Sequence, residues 1–464
     1  MIKTFFILSM IFIASMVFCQ DNKGWQSLFD GKTLNGWKLM TGKAEYKVED
    51  GNIVGTTVMN SPNSFLVYDK KFSGDFILEL EAKIEDTSMN SGVQFQSNYD
   101  AAANKGQGKI FGYQFELDPS LRKWSGGLYD EGRRDWLYPV TLNPKAQSAF
   151  KLGVYNKIRI ECFGNEIKTW LNDVAVSYVV DTIETSEGLI GLQVHAISKE
   201  EQKGKKVYFK NIRISEGVLG DKTSGIHPTD FPKGIYVLNL QHNSLTDYEK
   251  KDGWKLLFDG ASSKGWIGAY KKSFPEKGWE IKNGVLTVLP SGGNLDDGGG
   301  DIVTVENFKA FDLSFEFKLT PGANSGVKYF VTTPDDTKGY ALGLEYQLLD
   351  DSLHPDAKLG RDGDRTLASL YDLIKAEKTT RFIHQPGQWN TGRIVVYPND
   401  HVEHYLNGIK VLEYEKGSKA FQDLIAISKF KIYPHFVENK EGKILLQDHG
   451  NEVSFRSIKI KRLD

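Results

Sequence analysis

Gly24-Trp25-Gln26-Ser27-Leu28-Phe29-Asp30-Gly31, followed by Gly36-Trp37, returns as Gly253-Trp254-Lys255-Leu256-Leu257-Phe258-Asp259-Gly260, followed by Gly265-Trp266. Further matches run down the chain in the same order. Asn90-Ser91-Gly92-Val93 pairs with Asn324-Ser325-Gly326-Val327, and Leu128-Tyr129-Asp130 with Leu370-Tyr371-Asp372. Leu192-Gln193-Val194-His195 pairs with Leu446-Gln447-Asp448-His449, and the segment from Val207 to Ile214 with that from Val453 to Ile460. Ordered self-similarity of this kind means one structural plan used twice. The copies are expected over residues 24–216 and 253–464, joined by a linker over 217–252. The linker's apolar stretch from Ile235 to Leu240 suits an extra strand on either copy.

Inside each copy the local pattern is that of strands. Phe76-Ile77-Leu78-Glu79-Leu80-Glu81-Ala82-Lys83 and Leu313-Ser314-Phe315-Glu316-Phe317-Lys318 alternate with period two, and no segment sustains a helical spacing of apolar residues. His401 to Tyr414 reads as a hairpin turning at Asn407-Gly408, two residues that tolerate positive φ; its counterpart turns at Asn172-Asp173. Repeated strands with such turns, in units of this size, predict an all-β chain of two antiparallel sandwiches. Trp25, Trp37, Trp254 and Trp266 recur at matched positions and are expected in the cores.

A chain of 464 residues is too long for one ordinary core, which agrees with two domains. Its net charge of −2, with scattered Lys and Arg, argues against a nucleic-acid partner. Lys3, the apolar run from Phe5 to Phe18 and the polar residues after Cys19 form the pattern of a secretory signal over residues 1–19. The destination expected is the periplasm or the exterior, with no span of a membrane by the mature chain. Lipid attachment at Cys19 is the rival route, which the bulky Phe18 disfavours. Cys162 then has no partner, and its alternating surroundings suit a strand residue better than a catalytic thiol.

The matched segments, with Gly343-Leu344-Glu345-Tyr346-Gln347-Leu348-Leu349-Asp350 and Gly112-Tyr113-Gln114-Phe115-Glu116-Leu117-Asp118, resemble the 3-keto-disaccharide hydrolase family. The resemblance extends over both copies. It implies two concanavalin-like jelly-roll sandwiches, exported by bacteria that degrade glycans, and a small carbohydrate substrate already oxidised to a ketone at C3.

Period two also sorts the polar residues by face. Glu345 and Gln347 share one side of their strand, as do Gln447 and His449 on theirs. Glu345, His449 and Gln347 are therefore the catalytic candidates, with Asn324, Asp350, Tyr371, His404 and Gln447 as substrate contacts. Equally, the same alternation describes an ordinary solvated strand face. In the first copy Gln114 and Glu116 exchange amide and carboxylate, and Asp118, Tyr129, Arg133 and His195 complete the candidate contacts. The loop Asp130-Glu131-Gly132-Arg133-Arg134 reads either as a sugar grip or as a self-neutralised surface loop.

A C3 ketone acidifies the hydrogen at C2, so a base removes it and the C1 aglycone leaves by elimination; water addition then completes a net hydrolysis. Such chemistry needs a base, a donor or cation for the enolate oxygen, and an acid for the leaving oxygen. Glu345 or His449 serves as the base, the other as acid or metal ligand. A divalent metal ion is a candidate cofactor, with His404, His449 and Glu345 as its donors. Ordinary glycosidase chemistry asks for two facing carboxylates. The Glu-x-Asp-x-x-Glu pattern of glucanases begins at Glu116 and fails at Leu121. The alternative to an enzyme is a non-catalytic glycan-binding jelly-roll protein, since the fold supports both roles.

Overall fold

The computed structural model describes residues 24–182, 187–217, 227–292, 298–333 and 341–464. The expected signal segment and Cys19 lie outside them. The chain folds as two compact units, the second containing all of Phe231–Asp464.

The repeated opening is a clasp. In the first copy Asp30 Oδ1 accepts the amides of Lys32 (2.8 Å) and Thr33 (2.7 Å), closing a tight turn, while the Trp37 indole donates to the Leu28 carbonyl at 2.7 Å. In the second, Asp259 does the same for Ala261 and Ser262, and Trp266 donates to Leu257 at 2.6 Å. Trp37, Trp254 and Trp266 are buried; Trp25 is half-buried under the Arg213 guanidinium. A second shared device is a bulge in the closing strand. Asn211 and Ser457, at matched positions, both hold φ of 52°, and in each copy this strand's pairing slips a register there.

Each unit is built from antiparallel sheets, as the alternation predicts. In the second, one sheet runs Trp279–Lys282, Val285–Val288, Val453–Arg462, Phe311–Leu319, Trp389–Val396, His401–Leu406, Ile409–Glu415. The other runs Trp266–Gly268, Ile302–Thr304, Lys443–Leu446, Asn324–Thr332, Leu342–Leu349. Phe311, Phe315, Phe317, Tyr329, Tyr346, Leu348 and Leu446 interdigitate in one core. Each such side chain contributes about 1.5–3 kcal/mol of apolar burial. Because successive side chains alternate, putting Tyr346 and Leu348 in the core turns Glu345 and Gln347 to the sheet's outer face.

In the first, the corresponding sheet includes Leu128–Glu131, Lys109–Leu117, Ser91–Asp100, Glu187–Val194 and Ser64–Tyr68 in order. The hairpin turns fall where the sequence places them: Asn407 and Gly408 have φ of 48° and 79°, Asn172 and Asp173 of 50° and 64°. Within the stretch from Ile235 to Leu240, Leu238–Asn239 does form a short strand, parallel to Val179 and Val180. Cys162 is fully buried, and burial pushes its thiol far above the ordinary range. No helix among the described residues is long and apolar enough to cross a membrane.

The strand alternation gives no sign of the helix Lys419–Ile427, capped by the Ser418 hydroxyl on the Phe421 amide and anchored by buried Phe421 and Ile425. It belongs to a segment, residues 416–442, between the hairpin strand Ile409–Glu415 and the strand Lys443–Leu446. The first copy crosses the same gap, between Val174–Val180 and Glu187–Val194, with residues 181–186 alone.

Candidate functional site

On the outer face of the five-stranded sheet in the second unit, cross-strand pairing sets polar side chains in rows. Lys328 pairs with Glu345, and Gly326 with Gln347. Gln447 extends the Gly326 row by donating its backbone N–H to the Gly326 carbonyl at 3.0 Å. Gly326 is required by space: a Cβ there would lie 2.4 Å from Glu345 Oε1 and 2.9 Å from its Cδ and Cγ. Around this floor stand Gly300 and Asp301, residues 341–343, Tyr371, and Lys429, Phe430, Ile432 and Tyr433 from the 416–442 segment. They enclose a pocket of about 520 Å³, the size class of small-molecule sites.

Glu345 is only 6% exposed, so the alternation marks a walled pocket and not a solvated face. Burial raises its carboxyl above the ordinary range, against the pull of Lys328, whose Nζ is 3.8 Å away, and of Lys429. With the Gln347 amide assigned in the orientation that satisfies both its atoms, its nitrogen donates to Glu345 Oε1 (3.2 Å) and to the Ser325 carbonyl (3.0 Å), which holds the carboxylate's rotamer. Gln447 Oε1 is buried with no hydrogen-bond partner among the described residues, an acceptor left for a ligand hydroxyl. Tyr371 donates its hydroxyl to Asp356 at 2.8 Å. His449 is exposed at the rim, edge-on to His354 with ring centroids 6.5 Å apart.

Glu345, Gln347, His449, Asn324, Tyr371 and Gln447 thus meet in one pocket. Two sequence candidates do not join them. Asp350 caps a turn, its Oδ2 on the Gly322 amide (2.8 Å) and its Oδ1 on Ser352 (3.0 Å). His404 points into the core, fully buried, between the Tyr329 hydroxyl (2.8 Å) and the Ala368 carbonyl (3.2 Å). Burial drives its pKa down to about 3, so it is a neutral core imidazole. Alternation had left its face open, and the core took it.

With His404 removed, the donor set considered for a divalent ion is not assembled at the pocket. The described residues do bring His401, Glu403 and Glu413 within metal-ligating reach of one another, on a different strand pair. There the Lys410 ammonium sits on both glutamates, at 3.1 and 2.5 Å, and already supplies the counter-charge. The cations facing the pocket are Lys328 and Lys429. Neither lysine was singled out from the sequence. Lys328 directly follows Asn-Ser-Gly-Val, and Gln94 holds that place in the first copy; the length difference between the copies was the available signal for Lys429.

The first copy keeps the same rows with different chemistry. Gly92 pairs with Glu116 and Gln94 with Gln114. Gln94 donates to Gln114 at 2.8 Å, Gln114 to Glu116 at 2.8 Å, and Asn90 to Glu116 at 2.5 Å. An amide pair has replaced the Lys328–Glu345 ion pair. Gln193, at the place of Gln447, is wholly buried, and among the described residues neither of its amide atoms has a hydrogen-bond partner. Asp118 is paired with Arg122 at 2.7 Å and Tyr129 donates to Asp135 at 2.6 Å. His195 is exposed, with Nδ1 2.6 Å from the Ala196 carbonyl. Arg133 and Arg134 both grip the buried Asp130, at 2.6 and 2.5 Å, which supports the self-neutralised reading of that loop.

Burial pushes Glu116 up to about 7, against its hydrogen bonds from Asn90 and Gln114. A carboxyl raised in the folded state stabilises the fold at low pH, and that contribution is lost as pH rises from about 4.5 through about 7. The loss expected from this group is roughly 3 kcal/mol. Denaturant unfolding at about pH 5 and about pH 8 is expected to show that fall, and Glu116→Gln to narrow it. An unchanged difference in the variant would remove Glu116 as its source.

The profile of the 3-keto-alpha-glucoside-1,2-lyase-like domain matches residues 24–215 and 253–461. A 3-keto-disaccharide hydrolase of Bacteroides thetaiotaomicron is 40% identical over 236 residues, covering 46% of this chain and 79% of that protein. A crystal structure of a candidate glycosyl hydrolase from Parabacteroides distasonis aligns at 31% identity over 48% of this chain and 100% of its own, with a TM-score of 0.42. A second from the same organism aligns at 28% over 45% and 99%, with a TM-score of 0.33. The chain belongs to the 3-keto-alpha-glucoside-1,2-lyase-like family, matched twice along its length, and is a carbohydrate-active hydrolase.

Proposed function

We propose that the second copy cleaves glycosides carrying a ketone at sugar C3, by elimination across C1 and C2 followed by water addition. The observation that carries this reading is a buried carboxylate, Glu345, held by Gln347 and faced by the Lys328 ammonium at 3.8 Å inside a sugar-sized pocket. Glu345 takes the C2 proton; its raised pKa suits a base working near neutral pH. Lys328 stabilises the negative charge that develops on the C3 oxygen. His449, at the open rim, protonates the departing aglycone oxygen. Asn324, Gln447 and Tyr371 hold the ring hydroxyls.

The arrangement proposed for the whole chain is an export signal over 1–19, a first domain over 24–216, a linker over 217–252 and the active domain over 253–464. The place of action is the periplasm or the exterior. Incubation of the full chain with a 3-keto-glucoside, with and without a chelator, is expected to release the aglycone at an undiminished rate. Release lost to chelator and restored by a divalent ion would replace Lys328 with a metal in this scheme. Tight glycan binding without release under any metal condition would leave a binding protein.

A further inference from the structure

We propose that Lys429 is a nucleophile, forming a Schiff base with the C3 ketone of the sugar bound beside Glu345. The proposal rests on the keto-sugar reading of the same pocket and alters one step of it: the electrons released at C2 pass to an imine nitrogen, where that reading sends them to the C3 oxygen.

Lys429 reaches the pocket from the 416–442 segment that the first copy lacks. Its side chain is accessible through the pocket opening. Its Nζ lies 4.0 Å from the Tyr371 ring centre and 5.2 Å from that of Phe430. Among the described residues no hydrogen bond or ion pair holds this ammonium. The carboxylate nearest in role, Asp372, is committed elsewhere: its Oδ2 accepts the Lys429 backbone amide at 2.7 Å and its Oδ1 the Arg365 guanidinium at 2.7 Å. The backbone is thus fixed while the amine is left free. Ser428 capping the Phe430 amide (3.0 Å), and Phe430 stacked on Phe436 at 4.2 Å, hold the same turn.

An amine needs to be neutral to attack a carbonyl. Desolvation lowers the Lys429 pKa, and neighbouring Lys328 pushes the same way, opposed by Glu345 and Asp372. Lys429 stands exposed at the pocket opening, so its neighbour Lys328 is the feature that favours the neutral amine, a second cation being a known way of freeing a Schiff-base lysine.

The steps balance without any redox partner. The Nζ lone pair bonds to C3, one Nζ proton and one proton from solvent pass to the carbonyl oxygen, and loss of that oxygen as water leaves a protonated imine. Glu345 removes the C2 proton, and the C–H electrons pass to the imine nitrogen as an enamine. The enamine returns those electrons, the C1–O bond breaks, and the aglycone oxygen takes its proton from His449. Water at C3 then releases the enone and regenerates the Lys429 amine. The iminium is a stronger electron sink than a ketone, which is what the amine adds.

The test uses the full chain, methyl 3-keto-glucoside and cyanoborohydride, which reduces an iminium to a stable amine. Expected are time-dependent inactivation and a peptide in which Lys429 carries the sugar. Lys429→Arg keeps the charge and cannot form the imine; it is expected to lose the adduct and at least about a hundredfold in kcat, with an unchanged unfolding midpoint. Aglycone release by the wild type without any adduct, an adduct on Lys328, or an arginine variant retaining most of the activity would overturn the proposal alone. Absence of both release and adduct would instead overturn the keto-sugar reading, and this proposal with it.

Discussion

Glu345→Gln is expected to reduce turnover of a 3-keto-glucoside by about a hundredfold to ten-thousandfold, the span usual for loss of a positioned general base. The fold is expected to survive, because the protein already holds that substitution. At the matched position of the first copy stands Gln114, packed over Gly92 as Glu345 packs over Gly326 and hydrogen-bonded to Gln94 at 2.8 Å. Replacing a buried carboxylate by an amide of equal shape also removes the cost of charging it, so the unfolding midpoint is not expected to fall. The pH profile carries the same information. A base acts when ionised, so kcat/KM of the wild type is expected to rise with pH through a pKa above the ordinary glutamate range, as burial dictates. In the variant that acid limb is expected to vanish along with the rate. Turnover retained in Glu345→Gln would remove this carboxylate from the mechanism, leaving His449 as base.

The same comparison between copies explains what could be read from the sequence. A repeated Leu-Phe-Asp-Gly with a tryptophan beyond it is legible because the clasp is local: an Asp side chain on the amides two and three residues ahead, and an indole on a carbonyl nine residues back. Glu345, Gln347 and Gln447 were legible because strand alternation puts side chains on faces. What alternation cannot say is which face lies inward, and His404 shows the cost: a polar residue on a core-facing strand position, neutral between Tyr329 and Ala368. Asp350 illustrates a second limit. Its strand neighbours share the pocket, but one residue past the strand end its carboxylate has turned to cap Gly322 and Ser352. Lys328 was within reach, since it continues a matched motif into a position where the copies differ. For Lys429 the length difference between the copies marked only the segment; its place depends on how the helix Lys419–Ile427 docks through Phe421 and Ile425, a tertiary outcome with no local pattern pointing at the pocket.

Gly326→Ala is expected to remove activity almost as completely as loss of Glu345 itself, and it tests the role of the second copy. The added methyl would meet Cγ and Cδ of Glu345 as well as Oε1, so a rotation of the carboxylate tip cannot relieve it. The whole side chain has to leave the place that Gln347 and Lys328 define. Misplacement by about 1 Å is enough to cost about a hundredfold in rate. Overpacking at a buried site adds a stability loss of about 1–3 kcal/mol, read as a lower denaturant midpoint. Gly92→Ala supplies the control. Its methyl would lie 2.5 Å from Gln114 Cδ, so a comparable stability cost is expected in the first copy. If turnover belongs to the pocket floored by Glu345, Gly92→Ala is expected to leave kcat unchanged. Equal loss of rate in both variants would mean that both copies carry the chemistry. Loss in Gly92→Ala alone would move the base to Glu116, the carboxylate that Gly92 faces across the strand pair.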